Sequence, residues 1–397
     1  MLLLAPLALA QSLRGTATLV VMPFENRSKT VGADWLNEAC SEVLVQRMAL
    51  PGLYVISRSE RVFAFDRAGV PEGARPTRAT VFRVAEQMGA DFVVLGSYMV
   101  SEASFRATAQ LLEVKNLKLR PEIQVSGPLA DFVELQTSLA WQLLSEMPRP
   151  PRMTREEFMK AAPPIRLDAF EAYVRGVVSN SQPQRIKYLK EALRLNPDYL
   201  DAAFALGKTY YENHEYEQAV LWLSKVPADD DSGGQATFLR GMSEYNRGYL
   251  DRAYTAFSAL LTRAPLTEVY NNLGVVEARR GRKTAATEYF SKAVAADPSD
   301  ADYRFNLAVA LFKNGDNLGA AKQLREELQL RPTDAEAKTF LDGVSRGITY
   351  AAATPAGSSA AVTMRVPIER IKRNYNEASY RQVQMQIDNL KQQPSPK

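Results

Sequence analysis

The chain has 397 residues, 24% of them charged and 46% hydrophobic, which fits two or three soluble globular domains. A net charge of +4 is too small to argue for nucleic acid by itself. One cysteine excludes an intrachain disulfide and any cysteine-cluster metal site, and one histidine excludes a multi-histidine site.

The chain opens with MLLLAPLALAQS. Leu2–Leu9 is a short apolar run, and Ala8-Leu9-Ala10 gives a small-x-small cleavage site, so residues 1–10 read as a secretory signal. The positive flank of such signals is missing, which leaves open a true start further upstream or a buried strand edge as the other reading. Export to the periplasm or envelope is the expectation. No cysteine follows the apolar run, so a lipid anchor is not expected. No other stretch reaches the roughly 18 apolar residues that span a membrane.

Residues 17–147 alternate strand and helix patterns. ATLVVMPF at 17–24 and DFVVLGSYMV at 91–100 are apolar runs suited to buried strands. ADWLNEACSEVLVQRMAL at 33–50 has helical periodicity; Cys40 falls within it and reads as a small buried hydrophobe, not a nucleophile. PGLYVIS at 51–57 is a turn and strand, and ATVFRVAEQMGA at 79–90 a helix. SFRATAQLLEV at 104–114 alternates like a half-exposed antiparallel strand, with PEIQVSG at 121–127 able to pair with it. LADFVELQTSLAWQLLSEM at 129–147 closes the segment as a helix. The order βαβαβββα predicts an α+β domain, a mixed sheet covered by helices.

The strand MPFEN, then GLYVISRSE, GADFVVLGSY and FRATAQLLEV, resemble the small α/β domain in the amino-terminal part of TolB and in CsgG- and FlgO-like envelope proteins. The resemblance implies envelope association without catalytic activity, and it carries no site residues with it.

MPRPPRMTREEF at 147–158 is rich in proline and arginine, and residues 148–166 are expected to be a linker. Beyond it a period of about 34 residues sets in. Gly207, Gly241, Gly274 and Ala308 share one phase, Ala219, Ala253, Ala286 and Ala320 a second, and Leu223, Phe257, Phe290 and Leu324 a third. Pro197, Pro265, Pro298 and Pro332 close the units. Small residues let the two helices of a unit approach, and the larger residue fills the space between units. Gly248, Gly281 and Gly315 sit at the turns, and His214 reads as a solvated turn residue. Each helix pair cannot bury its apolar face alone, so units must stack.

The pattern resembles the tetratricopeptide repeat in LGKTYYENHEYEQA at 206–219, LGVVEARRGRKTAA at 273–286 and LAVALFKNGDNLGA at 307–320. About five repeats are expected over 167–345. The first, around Gly176, is about three residues short in its turn, and 334–344 reads as a capping helix. The fold class is therefore an α+β domain followed by an all-α superhelix. The resemblance implies a concave face lined by Phe204, Lys208, Tyr211, Phe238, Met242, Tyr245, Asn271, Arg279, Phe305, Phe312 and Lys313. Packing against neighbouring helices is the other reading of these side chains. Asn272 and Asn306 hold the phase from which some members grip a peptide, but Glu268 and Asp302 stand where a carboxylate clamp has lysine. A C-terminal carboxylate ligand is therefore not expected.

AAATPAGSSAAVT at 351–363 is low in complexity, and 346–365 is expected to be a flexible linker. Residues 366–392 read as a terminal helix with Ile368, Ile371, Tyr375 and Ala378 on one face, packing on its own chain or on a partner. Chemistry is sparse. No glycine-rich phosphate loop stands in a strand–loop–helix setting. Asp229-Asp230-Asp231 lacks the ligand spacing of a calcium loop, and the Arg279–Lys283 cluster reads as a charged turn. No catalytic residue, metal or cofactor is expected. The reading is a non-enzymatic scaffold that binds a protein or peptide. The alternative is a ligand sensor whose α/β domain takes a small molecule, which a deep polar pocket by the 17–24 and 91–100 strands would favour.

Overall fold

The computed structural model describes residues 17–28, 30, 32–71, 74, 76–348 and 366–391. The expected leader and the low-complexity stretch lie outside the described residues. The chain divides into two compact units, Met1–Tyr199 and Leu200–Lys397.

The first unit is built on a mixed sheet. Strand β1 (Ala17–Val21) lies between β3 (Leu53–Val55) and β4 (Phe92–Ser101) and is parallel to both. β2 (Glu25–Asn26) pairs with the far part of β4. β5 (Ser104–Glu113) runs antiparallel to β4 and carries β6 (Lys118–Leu119) and β7 (Ile123–Pro128) on its other side. Side chains of β1 alternate between two cores. Leu19 and Val21 join the cluster under helices α1 (Leu36–Met48) and α4 (Phe132–Ser145). Val20 and Met22 join the cluster under α2 (Arg58–Arg67) and α3 (Arg78–Gln87). This two-sided burial explains the unbroken apolar run of the strand. Cys40 is buried in the first cluster, and burial pushes its thiol well above its ordinary value.

Two elements differ from the expectations. α2 was not anticipated; it is started by a capping box in which Ser57 accepts from the Glu60 N–H and the Glu60 side chain answers at the Ser57 N–H. Residues 148–166 are not a plain linker. Helix α5 (Arg155–Ala161) begins with a second capping box at Thr154 and Glu157, and buries Phe158 against Trp141. The first helix pair, α6 (Leu167–Val177) and α7 (Gln182–Leu195), also falls in this unit, with Phe170 against Phe132 in the main core.

The second unit is an array of helix pairs: α8 (Leu200–Glu212) with α9 (Tyr216–Leu223), α10 (Gly233–Asn246) with α11 (Leu250–Arg263), α12 (Thr267–Arg279) with α13 (Lys283–Ala296), and α14 (Ala301–Lys313) with α15 (Asn317–Leu330). Helix α16 (Ala335–Ser345) caps them. The phased residues meet inside each pair, so the larger residue packs against the glycine of its own unit, whereas the sequence pattern places it between units. A Cβ on Gly207 would stand 2.7 Å from Leu223, one on Gly241 2.8 Å from Phe257 and one on Gly274 2.6 Å from Phe290. In the shortened first pair, Gly176 faces Leu189 instead, three residues earlier in phase. The turn positions Gly248, Gly281 and Gly315 have φ of +82°, +77° and +87°, and His214 takes the same place at +62°.

The expected terminal helix is only partly one. Residues 366–376 carry no helix, and α17 spans Glu377–Lys391. Pro367 lacks an N–H, and the peptide groups that follow find side-chain partners on the array rather than partners in their own segment. Tyr380 on α17 is buried and accepts from Arg263 Nε, so α17 packs on its own chain.

Ala286 is 1% exposed beside Phe290, where α12 and α13 cross. Ala286→Leu should overpack that crossing and cost about 1–3 kcal/mol. Equilibrium denaturation checks this; an unchanged midpoint would place the helix crossing elsewhere.

Candidate interaction groove

The first helices of the pairs, α8, α10, α12 and α14, carry the expected groove residues. Phe238, Met242, Asn271, Phe305 and Phe312 are buried, Phe204, Lys208, Tyr211, Tyr245 and Lys313 are half-buried, and Arg279 is exposed. Phe312 meets Phe340 of α16 edge-on and so belongs to the core of the array. The others divide by what covers them. Over α12 and α14 it is the chain's own segment 366–376, which sequence reasoning placed in a helix.

That segment crosses the pairs in the reverse of their chain order. Val366 packs beside Phe340, and Glu369 takes an ion pair from Lys313. Asn306 then grips both backbone polar groups of Arg370: its Oδ1 accepts from the Arg370 N–H at 2.6 Å, and its Nδ2 donates to the Arg370 carbonyl at 2.7 Å. Asn272, 34 residues earlier, repeats this at Lys372, with both bonds at 2.8 Å. Asn271 Nδ2 donates to the Arg370 carbonyl at 3.0 Å, and Asn271 Oδ1 accepts from Asn306 Nδ2 at 2.8 Å. Further on, the Asn376 N–H reaches Glu268 at 2.8 Å, and Tyr375 lies against Phe238. All three asparagines are fully buried, so the segment supplies the partners that their amides need.

The side chains of the segment meet acid and aromatic surface. The Arg370 guanidinium stands 3.6 Å above the Phe305 ring and pairs with Asp302, Asp334 and Glu336 at 3.2, 2.8 and 3.0 Å. Lys372 lies between Asp300 and Asp302 at 2.7 and 2.8 Å, 5.0 Å from the Tyr303 ring. Ile371 packs in the cluster with Val275 and Tyr245. Burial opposes ionisation of Asp302, but hydrogen bonds from Arg331 and Lys372 hold its carboxyl well below the usual range. Burial raises Glu268 above its ordinary value, against the pull of the Asn376 N–H. Asp300, Asp302, Tyr303 and Asp334 were absent from the expected groove. The signal for them was the acid at Glu268 and Asp302 where a carboxylate clamp has lysine.

The first unit holds a separate cavity of about 850 Å³. It lies past the carboxyl end of β1, at Pro23, and along β4 and β5, at Ser97 and Gln110. β3 and β4 flank β1 on opposite sides, so the chain reverses its path across the sheet there, where open α/β sheets place ligands. Buried Arg61 donates to the Val21 carbonyl at 2.6 Å, to Ser41 Oγ at 2.8 Å and to Glu38, which also faces Arg58. Among the described residues, no cluster of three or more histidine, cysteine or carboxylate side chains could hold a metal ion, and no helix is long and apolar enough to cross a membrane.

Tetratricopeptide-repeat family profiles match residues 186–236, 238–301 and 284–335, so the helical array carries tetratricopeptide repeats. Superkiller protein 3 of Schizosaccharomyces pombe is 28% identical over 153 residues, which cover 36% of this chain and 11% of that protein. The chain therefore spans about a tenth of the length of that relative. Among solved structures, YrrB, described as a TPR protein with an unusual peptide-binding site, is 18% identical over 46% of this chain and 93% of its own, at a TM-score of 0.39. MamA from Desulfovibrio magneticus RS-1 is 20% identical over 42% of this chain and 95% of its own, with the same TM-score of 0.39.

Glu327 on α15 is buried, with Asp334, Arg370 and Arg331 as charged neighbours. Burial and the neighbouring Asp334 charge push its carboxyl up to about 7, against Arg370 and Arg331. A carboxyl raised in the folded chain stabilises it below the ordinary carboxylate range, and that contribution is lost as pH rises through about 7. The denaturation midpoint should therefore fall between pH 5 and 8, and Glu327→Gln should flatten the decline; an equally steep decline in the variant would place the titration elsewhere.

Proposed function

We propose that this protein is a non-enzymatic interaction scaffold of the bacterial cell envelope, exported by its leader, that binds an extended protein segment in the concave groove of its repeats. One observation carries the reading: buried Asn272 and Asn306 each hold both backbone hydrogen-bonding groups of one residue of the segment, Lys372 and Arg370 respectively. Backbone capture by side chains at the repeat period needs no particular ligand sequence, and flanking aromatics such as Tyr245 supply anchors. Envelope location rests on the leader and on the resemblance of the α/β domain to the TolB and CsgG-like domains. The test begins with fractionation of cells expressing the chain with its native upstream sequence. Partners recovered from the envelope fraction are then titrated against purified protein. Tyr245→Ala should weaken binding by about 2 kcal/mol, roughly thirtyfold, while the chain stays folded. Cytoplasmic recovery with an uncleaved Met1 overturns the location, and unchanged affinity in the folded variant overturns the groove.

The cavity of the first unit favours a second reading, in which the α/β domain takes a small polar molecule and the repeats relay its presence. A cavity of about 850 Å³ is of drug-sized ligand capacity and lies at the reversal point of the sheet. A thermal-shift screen of polar metabolites should find compounds that raise the melting temperature. Ser97→Leu, which fills the cavity wall, should abolish the shift; a shift that survives it locates the ligand elsewhere.

A further inference from the structure

The groove residues define more than a generic peptide site. Alternate residues of the bound segment, Arg370 and Lys372, meet the acids of α14 and the start of α16, whereas intervening Ile371 packs in an apolar cluster. The backbone clamps fall on the same two residues. A neutral residue at either place would take one cation from the half-buried carboxylates, leaving Asp302 to Arg331 and the one that remains. The stack on Phe305 and the triple carboxylate contact suit a planar guanidinium at the first place, and the compact acid pair suits an ammonium at the second.

We propose that the surface of α12, α14 and α16 is a reader of extended basic segments of the pattern Arg-apolar-Lys, and that residues 366–376 occupy it as an internal stand-in that a partner protein's segment of the same chemistry must displace. The proposal rests on the groove reading above and adds the partner's chemistry and the competition. A tethered occupant works at an effective concentration of order millimolar, so an external segment binds the intact chain far more weakly than the emptied groove. The connection between Ile348 and Val366 lies outside the described residues.

The test uses the full chain, as wild type and as Arg370→Glu/Lys372→Glu, with a fluorescein-labelled peptide of residues 365–378 followed by anisotropy. The charge reversal empties the groove, so the peptide should bind the variant at least about tenfold tighter than wild type. Adding Asn306→Ala to the variant should erase that binding, and a peptide carrying the same two glutamates should not bind. In wild type, trypsin should spare Arg370 and Lys372, and Asn272→Ala/Asn306→Ala should expose them to cleavage; this readout stands even if the charge reversal disturbs folding. Equal affinity for wild type and variant overturns the stand-in and leaves the groove reading intact. Capture of the charge-reversed peptide through Asn306 overturns the basic preference alone. No peptide binding to the folded variant overturns both. Dimers of wild type that exchange this segment, seen by light scattering, overturn occupation in cis.

Discussion

The close approach of a glycine on one helix to a ring or leucine on the next is the contact on which the repeat array depends. At Gly274 there is no room for a methyl group, because the Phe290 ring fills the place where it would stand. The same holds at Gly207 with Leu223 and Gly241 with Phe257. Each contact fixes the separation of the two helices in a pair, and repetition at nearly constant spacing makes every pair present its first helix in a similar way. The groove inherits its regularity from this. Asn272 and Asn306 are one period apart, and they perform the same bond pair two residues apart on the segment between them.

Those asparagines would be poor core residues on their own. A buried primary amide without partners costs a few kcal/mol, as does a buried unpaired peptide group. Bringing the two together satisfies both, and Asn271 links the two clamps into one network. The charges follow a similar logic. Asp302 faces Arg331, Arg370 and Lys372, so its low-lying ionisation depends on cations from two separate parts of the chain. Removing the segment would leave a line of acids along α14 and α16 with Arg331 as a nearby cation.

The first unit uses buried polarity differently. Arg61 joins the end of β1 to α1, because its guanidinium reaches the Val21 carbonyl, Ser41 and Glu38 at once. Fully engaged in this way, it braces the wall of the cavity. The cavity runs along β4 and β5 beside residues of α2 and α3, with Ser97 and Thr108 bonded across the strands at 2.9 Å.

The sequence by itself determined the repeat phase, the helix pairs, the mixed sheet and the burial of Cys40, because each is written in local periodicity of 2, about 3.6 or about 34 residues. It also placed Asn272 and Asn306, and the acids Glu268 and Asp302, in their phase. It did not reveal α2 or α5, whose only local marks are the capping boxes at Ser57 and Thr154. Nor did it reveal what fills the groove. Ile368, Ile371, Tyr375 and Ala378 fit one face of a helix, yet residues 366–376 are held outside any helix. The partners of their peptide groups lie 64 residues away at Asn306 and 100 residues away at Asn272. Only the tertiary structure brings such partners together, since a side chain that replaces an intrahelical bond from that distance leaves no periodic trace.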